Sequence, residues 1–174
     1  MSRRDRIRQT KIQHEAEGYL ELGLPENALR ALARLGEPGE LDPHALYLRG
    51  EALRMLKRYN EAIPALQQVG MAMAKNIHVW IALGWCYKRI DRIDRAIEAL
   101  ETALTAEPEE PLVLYNLACY WSLAGDKSQA LEYLSRALSI DVAYRELIED
   151  EPDFDPIRDD PGFQAISSGA QPAG

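Results

Sequence analysis

The sequence of 174 residues has few of the features on which secreted and membrane proteins depend. It contains two cysteines, Cys86 and Cys119, which excludes a framework of several disulfides and favours free thiols in a reducing compartment. It has no apolar run approaching the roughly 20 residues needed to cross a bilayer. The Arg3-Arg4 pair is followed by charged rather than apolar residues, which argues against a signal peptide. We therefore expect a cytoplasmic protein without a membrane partner.

The chain also lacks an excess of positive charge. Its formal net charge is −8 and its pI is about 5.0. Proteins bind nucleic acid mainly by neutralising phosphates, so an acidic chain without a basic face is not expected to bind it. Basic residues cluster only at the start, where residues 1–8 are expected to form a flexible basic terminus.

Sequence motifs of catalysis and cofactor binding are missing as well. The three histidines, His14, His44 and His78, have no carboxylate or thiol at the spacing of a metal site. No P-loop, Gly-x-Ser-x-Gly or Gly-x-Gly-x-x-Gly motif occurs. The acidic run 149–160 lacks the central glycine and closing glutamate of a calcium loop, and prolines interrupt it. The sequence thus predicts no catalytic residues, no cofactor and no metal, and a function other than that of an enzyme.

What the sequence does have is an internal period of 34 residues, visible as four columns that stay in register without an insertion. Each column holds small or apolar residues, and each member stands 34 positions after the previous one. The columns are Ala16, Gly50, Gly84 and Ala118; Ala28, Ala62, Ala96 and Ala130; Leu32, Leu66, Leu100 and Leu134; and Leu35, Val69, Ala103 and Ala137. They define four repeats, at about residues 9–42, 43–76, 77–110 and 111–144.

Each repeat has the pattern of two amphipathic helices joined by a short turn. In the third repeat, Trp80, Leu83, Gly84 and Tyr87 lie on one face of a first helix, at spacings of three and four residues. A second apolar stripe runs through the residues after the turn and ends before Pro108. The small residues of the columns are expected where two helices cross closely.

The third repeat closely resembles a tetratricopeptide (TPR) repeat, through Trp80-x-x-Leu83-Gly84-x-x-Tyr87 followed by small and apolar residues and Pro108. The resemblance covers about residues 9–144, and the other three repeats are more degenerate. It implies an all-α fold, a right-handed superhelix, or solenoid, of four helix-turn-helix repeats. Residues 145–166 are expected to form a C-terminal cap, since stacked repeats need a solvating end, and residues 167–174 a disordered tail.

The resemblance also implies where a partner would bind, because TPR proteins usually bind ligands on the concave surface lined by their first helices. Trp85 points roughly 150° away from the buried stripe of its own helix, toward that surface. An aromatic and apolar strip with a few cations is typical of a peptide-binding groove. The expected groove residues are Gln13, Glu17, Tyr47, Glu51, Arg54, His78, Ile81, Trp85, Lys88, Arg89, Leu112, Tyr115, Asn116 and Cys119.

Two other interpretations of the groove stay open. Trp85 and Tyr115 could simply pack against neighbouring first helices, or against the terminal arm of the chain itself. The clamp by which some TPR domains grip the carboxylate of a chaperone tail is disfavoured, because its first-repeat sites hold Gln13 and Glu17 here and a glutamate would repel a carboxylate.

The hypothesis from the sequence is a non-enzymatic adaptor that binds a segment of a partner protein in the groove. The alternatives are a TPR-type secretion chaperone and a scaffold that assembles with copies of itself as a homo-oligomer.

Overall fold

The computed structural model of the chain describes residues 2–37 and 41–169, and this part is built of helices without a strand. It divides into two compact units, unit 1 at residues 1–90 and unit 2 at residues 91–174. The all-α class predicted from the sequence is confirmed.

Unit 1 contains two helix pairs and the first helix of a third. Helix α1 packs against α2, α3 packs against α4, and α2 and α4 each contact the next helix along the chain. The first helices α1, α3 and α5 also contact one another in sequence order. The bounds are α1 Arg3–Glu21, α2 Pro25–Leu32, α3 Pro43–Met55, α4 Tyr59–Ala72 and α5 Ile77–Arg89.

Unit 2 contains three long helices and a C-terminal segment. Its long helices are α6 Ile93–Ala106, α7 Pro111–Leu123 and α8 Lys127–Ile140. Two short helices follow, α9 Arg145–Ile148 and α10 Pro161–Ser168, together with 3₁₀ turns at Val142–Tyr144 and Pro152–Ile157. The turn Pro152–Ile157 packs against α7, and α10 packs against α8. We call residues 142–169 the C-terminal cover.

Several helices begin where the sequence supplies an N-cap or a proline for the first turn, whereas α4 and α6 begin without a side-chain cap. The Asp42 carboxylate accepts hydrogen bonds from the backbone N–H groups of His44 and Ala45, and Asn76 caps α5 in the same way. Prolines stand at the first position of α2, α3, α7 and α10, where the missing N–H leaves no hydrogen bond unmade. In α4 the helix continues through Pro64.

The turn between the two helices of a repeat has the same backbone geometry each time. One residue in each turn has a positive φ, and these residues recur at the 34-residue period. Two of them are glycines and two are not, although a left-handed conformation costs a non-glycine residue roughly 1–2 kcal/mol. They are Gly23, Lys57, Asp91 and Gly125, with φ values of 70°, 59°, 60° and 82°.

The columns of the repeat form the core. The alanine and leucine columns are at most 1% exposed at every repeat, and the first column is likewise buried. The exception in the fourth column is Leu35, which is half-buried because α2 ends early in a 3₁₀ turn at Ala33–Leu35. The Gly-Glu-Pro-Gly sequence that predicts this early end begins at Gly36, and its last two residues lie outside the described part.

Both termini are more ordered than the sequence suggests. Helix α1 begins at Arg3, so residues 3–8, predicted to be flexible, are helical. The reason is a reciprocal cap, in which the Ser2 hydroxyl accepts from the Asp5 N–H and the Asp5 carboxylate accepts from the Ser2 N–H. At the other end, Ser167 and Ser168, predicted to be disordered, close α10. The rest of the predicted tail, from residue 170, lies outside the described residues.

The crossing of α3 and α4 requires a residue without a side chain at Gly50, and a substitution can test this requirement. A Cβ at this position would lie 2.7 Å from Cδ2 and 2.8 Å from Cγ of Leu66, a side chain that is fully buried. We expect Gly50→Ala to reduce the free energy of unfolding by about 1–3 kcal/mol, measured by urea denaturation.

Gly18 in α1 is the matched control, because a Cβ there would meet nothing within 4 Å. Gly18→Ala should be neutral or stabilise the protein by up to about 1 kcal/mol, since alanine is the better helix former. Equal effects of the two substitutions would contradict the assigned crossing.

Candidate functional site

Trp85, the residue on which the prediction of the groove depends, lies beside two arginines in unit 1. The guanidinium carbons of Arg54 and Arg89 lie 5.1 Å and 4.5 Å from the centre of its ring. Both distances are within the range of cation–π attraction. Tyr59, at the start of α4, meets the indole edge-on with ring centroids 5.5 Å apart. The side chain is thus held by contacts from α3, α4 and its own helix, yet it stays partly exposed.

The first of these arginines is fixed by a neighbour one turn away. Arg54 Nε and Nη2 donate to the two carboxylate oxygens of Glu51, at 3.0 Å and 2.8 Å. This hydrogen-bonded pairing raises the pKa of Arg54, and both side chains are largely shielded from solvent. Burial and the nearby Glu51 charge raise the pKa of Tyr47 to about 12, so its hydroxyl stays protonated as a hydrogen-bond donor. Arg54 therefore carries a charge that Glu51 already balances.

The second arginine, Arg89, differs from Arg54 in its exposure and in its pairing. Arg89 is exposed at the end of α5, and among the described residues its guanidinium makes no ion pair. Its position over the indole leaves its N–H groups able to donate to a ligand. Lys88 precedes it, and Ile81 and His78 lie earlier on the same helix, with His78 exposed. We call the surface formed by α1, α3 and α5 around Trp85 the inner face of unit 1.

The predicted groove residues of the first repeat already make contacts within the chain. Gln13 donates to Asp42, the N-cap of α3, at 2.7 Å, and Gln9 donates to the same carboxylate. Glu17 lies 2.8 Å from His44 Nε2, an ion pair when that histidine is protonated. Gln13 and Glu17 therefore join α1 to the first turn of α3. This role was not predicted from the sequence, in which the two side chains were expected only to contact a partner.

Two of the predicted groove residues of unit 2 are buried. Tyr115 is 4% exposed and Cys119 is 2% exposed, so neither can contact a partner in this structure. Tyr115 packs against Tyr144 and Phe154 of the C-terminal cover, with ring centroids 5.1 Å and 5.7 Å apart. Assigning these two residues to a partner-binding surface was wrong, and the alternative in which the chain's own terminal arm packs on Tyr115 holds instead. Of the four α7 positions, Leu112 is 38% exposed and Asn116 is partly exposed.

The thiol of Cys86, next to Trp85, is no candidate for chemistry. It is buried, and burial raises its pKa to about 12, so it is not a thiolate near neutral pH. None of the described helices is both long and apolar enough to cross a membrane.

A second surface in unit 2 involves Trp121, whose equivalent in the third repeat is Tyr87. Together with Ile93, Ile97 and Ala124 its side chain lines an open cavity of about 570 Å³, bordered by acidic side chains of α6. Trp121 is therefore only partly buried, where the repeat pattern suggests a core residue.

This arrangement of helix pairs with a 34-residue period defines a helical repeat protein. Two family models, each described as tetratricopeptide repeat, match residues 15–72 and 53–118. Together they span more than half of the chain, and the chain belongs to the TPR family. Among curated proteins, none matches it at a significant level.

Solved structures with the same fold include three TPR proteins, all with low sequence identity. MamA is 22% identical with a TM-score of 0.72, covering 79% of this chain and 81% of its own. YrrB, described as a TPR protein with an unusual peptide-binding site, is 18% identical with a TM-score of 0.71, covering 82% and 73%. TTC0263, a TPR protein from Thermus thermophilus, is 18% identical with a TM-score of 0.67, covering 85% of both chains.

The packing of the C-terminal cover on α7 can be tested through Phe154, which is fully buried against Tyr115 and Phe163. We expect Phe154→Ala to cost about 3–5 kcal/mol of stability, because it leaves a cavity under the cover. The same change should make the thiol of Cys119 react faster with a disulfide reagent, measured in a Cys86→Ser background so that one thiol is counted.

Leu147→Ala is the control for this experiment, since Leu147 belongs to the same cover but is 53% exposed. It should change neither the melting temperature nor the labelling rate appreciably. If Phe154→Ala left Cys119 as protected as in the parent protein, the cover would not be what shields it.

Proposed function

We propose that the chain is an adaptor that holds a segment of a partner protein on the inner face of unit 1 and performs no catalysis itself. The TPR fold supports a role in protein–protein interaction in general. The observation that supports this particular surface is the partly exposed indole of Trp85 beside Arg89, a cation without an ion pair in the described part of the chain. An amphipathic aromatic anchor with an adjacent arginine is the composition typical of interaction hot spots.

The contacts around Trp85 also suggest which segments would bind. The indole and Ile81 offer apolar area, and Arg89 offers N–H donors that suit a carboxylate. Arg54 contributes little net charge, because Glu51 balances it. The preferred segment would thus pair an apolar or aromatic side chain with an aspartate or glutamate nearby. The similarity to YrrB, a TPR protein with a peptide-binding site, supports a peptide as the ligand.

The arrangement of Gln13 and Glu17 supports a face that is ordered before it binds. Their contacts to Asp42 and His44 hold α1 against α3 in the free protein. A surface that is already rigid loses less conformational entropy when a segment docks on it. The secretion chaperone and the self-assembling scaffold would use the same surface for an export substrate or for a second copy of the chain.

The test is a selection of peptides from a random displayed library on the full chain, followed by calorimetry with the enriched sequences. We expect enrichment of segments with an apolar residue close to an acidic one. Trp85→Ala should weaken their binding by about 2 kcal/mol or more, while loss of the Tyr59 contact costs only about 0.5–1.5 kcal/mol of stability.

Trp80→Ala on the same helix is the matched control. The Trp80 ring packs close to Gly70, and its indole N–H donates to the carbonyl of Ala74 at 2.8 Å, so it serves the α4–α5 contact. Trp80→Ala should lower the melting temperature but preserve the affinity of the folded protein for the peptides. The proposal fails if Trp85→Ala binds the selected peptides as tightly as the parent protein.

A further inference from the structure

The cavity beside Trp121 in unit 2 has an acidic border that the repeat fold does not require. The border consists of four exposed carboxylates, those of Asp91, Asp94, Glu98 and Glu101. The equivalent residues 34 positions earlier are neutral or basic, namely Lys57, Asn60, Pro64 and Gln67. Since the preceding repeat forms the same helix pair without these acids, their presence is particular to this cavity. We call it the acidic cavity.

The floor of the acidic cavity also differs from the same place one repeat earlier. In unit 1 the hydroxyl of Tyr87 accepts a hydrogen bond from the Gln67 amide at 2.8 Å, which joins α4 to α5. The equivalent residues in unit 2 are Trp121 and Glu101, and within the described residues the buried indole N–H of Trp121 has no hydrogen-bond partner. An open cavity of about 570 Å³ with the apolar side chains of Ile93 and Ile97 lies in this place.

The charges of the border are only partly balanced within unit 2. Asp94 pairs with Arg92 at 3.1 Å and Glu98 pairs with Arg95 at 2.7 Å, both on the surface. Asp91 and Glu101 make no ion pair in the described part of the chain. Two arginines against four carboxylates leave a net negative border around an apolar floor. Such a surface is complementary to a segment that carries an apolar side chain between cations.

Helix α1 supplies a segment of this kind. Arg3, Arg4, Ile7 and Lys11 are separated by three or four residues, so they lie on one face of the helix. All four are exposed, and Ile7 is 50% exposed. The three cations make no ion pair within the described residues. We call these four residues the basic stripe.

The basic stripe is ordered before it meets any partner. The reciprocal cap between Ser2 and Asp5 holds the first turn of α1 helical. Arg8, which lies outside the stripe, donates to the Arg34 carbonyl at 3.3 Å and so ties the start of α1 to its own unit. An exposed isoleucine on a helix end that is already fixed loses little conformational entropy when it docks.

We propose that the basic stripe of one copy of the chain docks in the acidic cavity of a second copy. Ile7 would cover the apolar floor at Trp121 and Ile97, and the cations of the stripe would face the carboxylates of the border. The two surfaces agree in length. From Arg3 to Lys11 the helix rises about 12 Å, and from Asp94 to Glu101 it rises about 10.5 Å.

The net charge of −8 does not prevent this contact. Exposed charges separated by more than about 8 Å are largely screened at physiological ionic strength, so the charges that meet in the contact decide its sign. The association should therefore weaken when salt is raised to about 1 M, where screening reaches about 3 Å.

The contact joins two different surfaces, so each added copy presents a further stripe and a further cavity. Copies would assemble head to tail, into a chain or into a closed ring. The stripe and the cavity include none of the residues around Trp85, so the inner face of unit 1 would stay available in each copy. Several inner faces in one assembly would bind a partner with repeated segments more tightly than one face does.

The experiment measures the mass of the full chain by sedimentation velocity over a wide range of concentration. We expect the average mass to rise with concentration above the 19.6 kDa of one chain, and to fall again at high salt. A parent protein that stays at the mass of one chain at every concentration would overturn the proposal, and would leave a basic segment of another protein as the occupant of the cavity.

Two charge-reversed variants identify the surfaces. The stripe variant carries Arg3→Glu and Arg4→Glu, and the cavity variant carries Glu98→Lys and Glu101→Lys. Each should raise the dissociation constant at least about tenfold, because like charges then face each other in the contact. The matched control for the cavity variant carries Glu132→Lys and Glu146→Lys, the same change of charge at exposed glutamates of unit 2 outside the cavity. It should associate like the parent protein.

Mixing the two variants gives the decisive result. The unchanged stripe of the cavity variant can dock in the unchanged cavity of the stripe variant, so the mixture should associate although neither variant does so alone. Circular dichroism checks that each variant folds. The proposal fails if the mixture of folded variants does not associate, or if the control weakens association as much as the cavity variant. None of these results depends on whether Trp85 binds a peptide.

Discussion

The close approach of paired helices at columns of small residues is the constraint on which the rest of this structure depends. Gly50 allows α3 and α4 to cross with the fully buried Leu66 in the space that a Cβ would need. Because such a contact fixes the rotation of each helix, it also fixes which side chains face away from the core. Trp85 is turned outward because its neighbour Gly84 is turned inward. The candidate site is therefore a consequence of the core.

The groove side of the first helices is partly open to solvent in unit 1 and covered in unit 2. In unit 1 this surface carries polar pairs, such as Glu51 with Arg54, that satisfy charges without closing the surface to solvent. In unit 2 the C-terminal cover lies on the corresponding positions of α7 and buries the ring of Tyr115 among the aromatic residues of the cover. Burying aromatic area stabilises the end of the repeat array, since a last repeat without a neighbour would otherwise expose its apolar surface. Because the cover buries Tyr115 and Cys119, these positions of α7 cannot contact a partner in this structure.

The cover brings polar groups into the same buried space, and this has an energetic cost. Burying carboxylates and hydroxyls is destabilising, so the polar groups under the cover require compensation from hydrogen bonds. Arg158 supplies part of it to the backbone through three carbonyl contacts.

The sequence by itself determined the repeat, the helix pairs and the outward direction of Trp85, because these follow from local periodicity and from the geometry of one helix. The sequence did not predict that the ends of the chain are helical. The Ser2–Asp5 cap depends on two hydrogen bonds that a count of charges does not reveal. Only the tertiary structure decided that Gln13 and Glu17 contact the next helix, and that Tyr115 and Cys119 lie beneath the cover. Such contacts join residues about 30 positions apart, and helical periodicity describes a residue's direction without naming the segment that meets it. For the same reason the sequence does not show that Cys119 lies close to Glu151 and Asp153, and only folding brings these residues together.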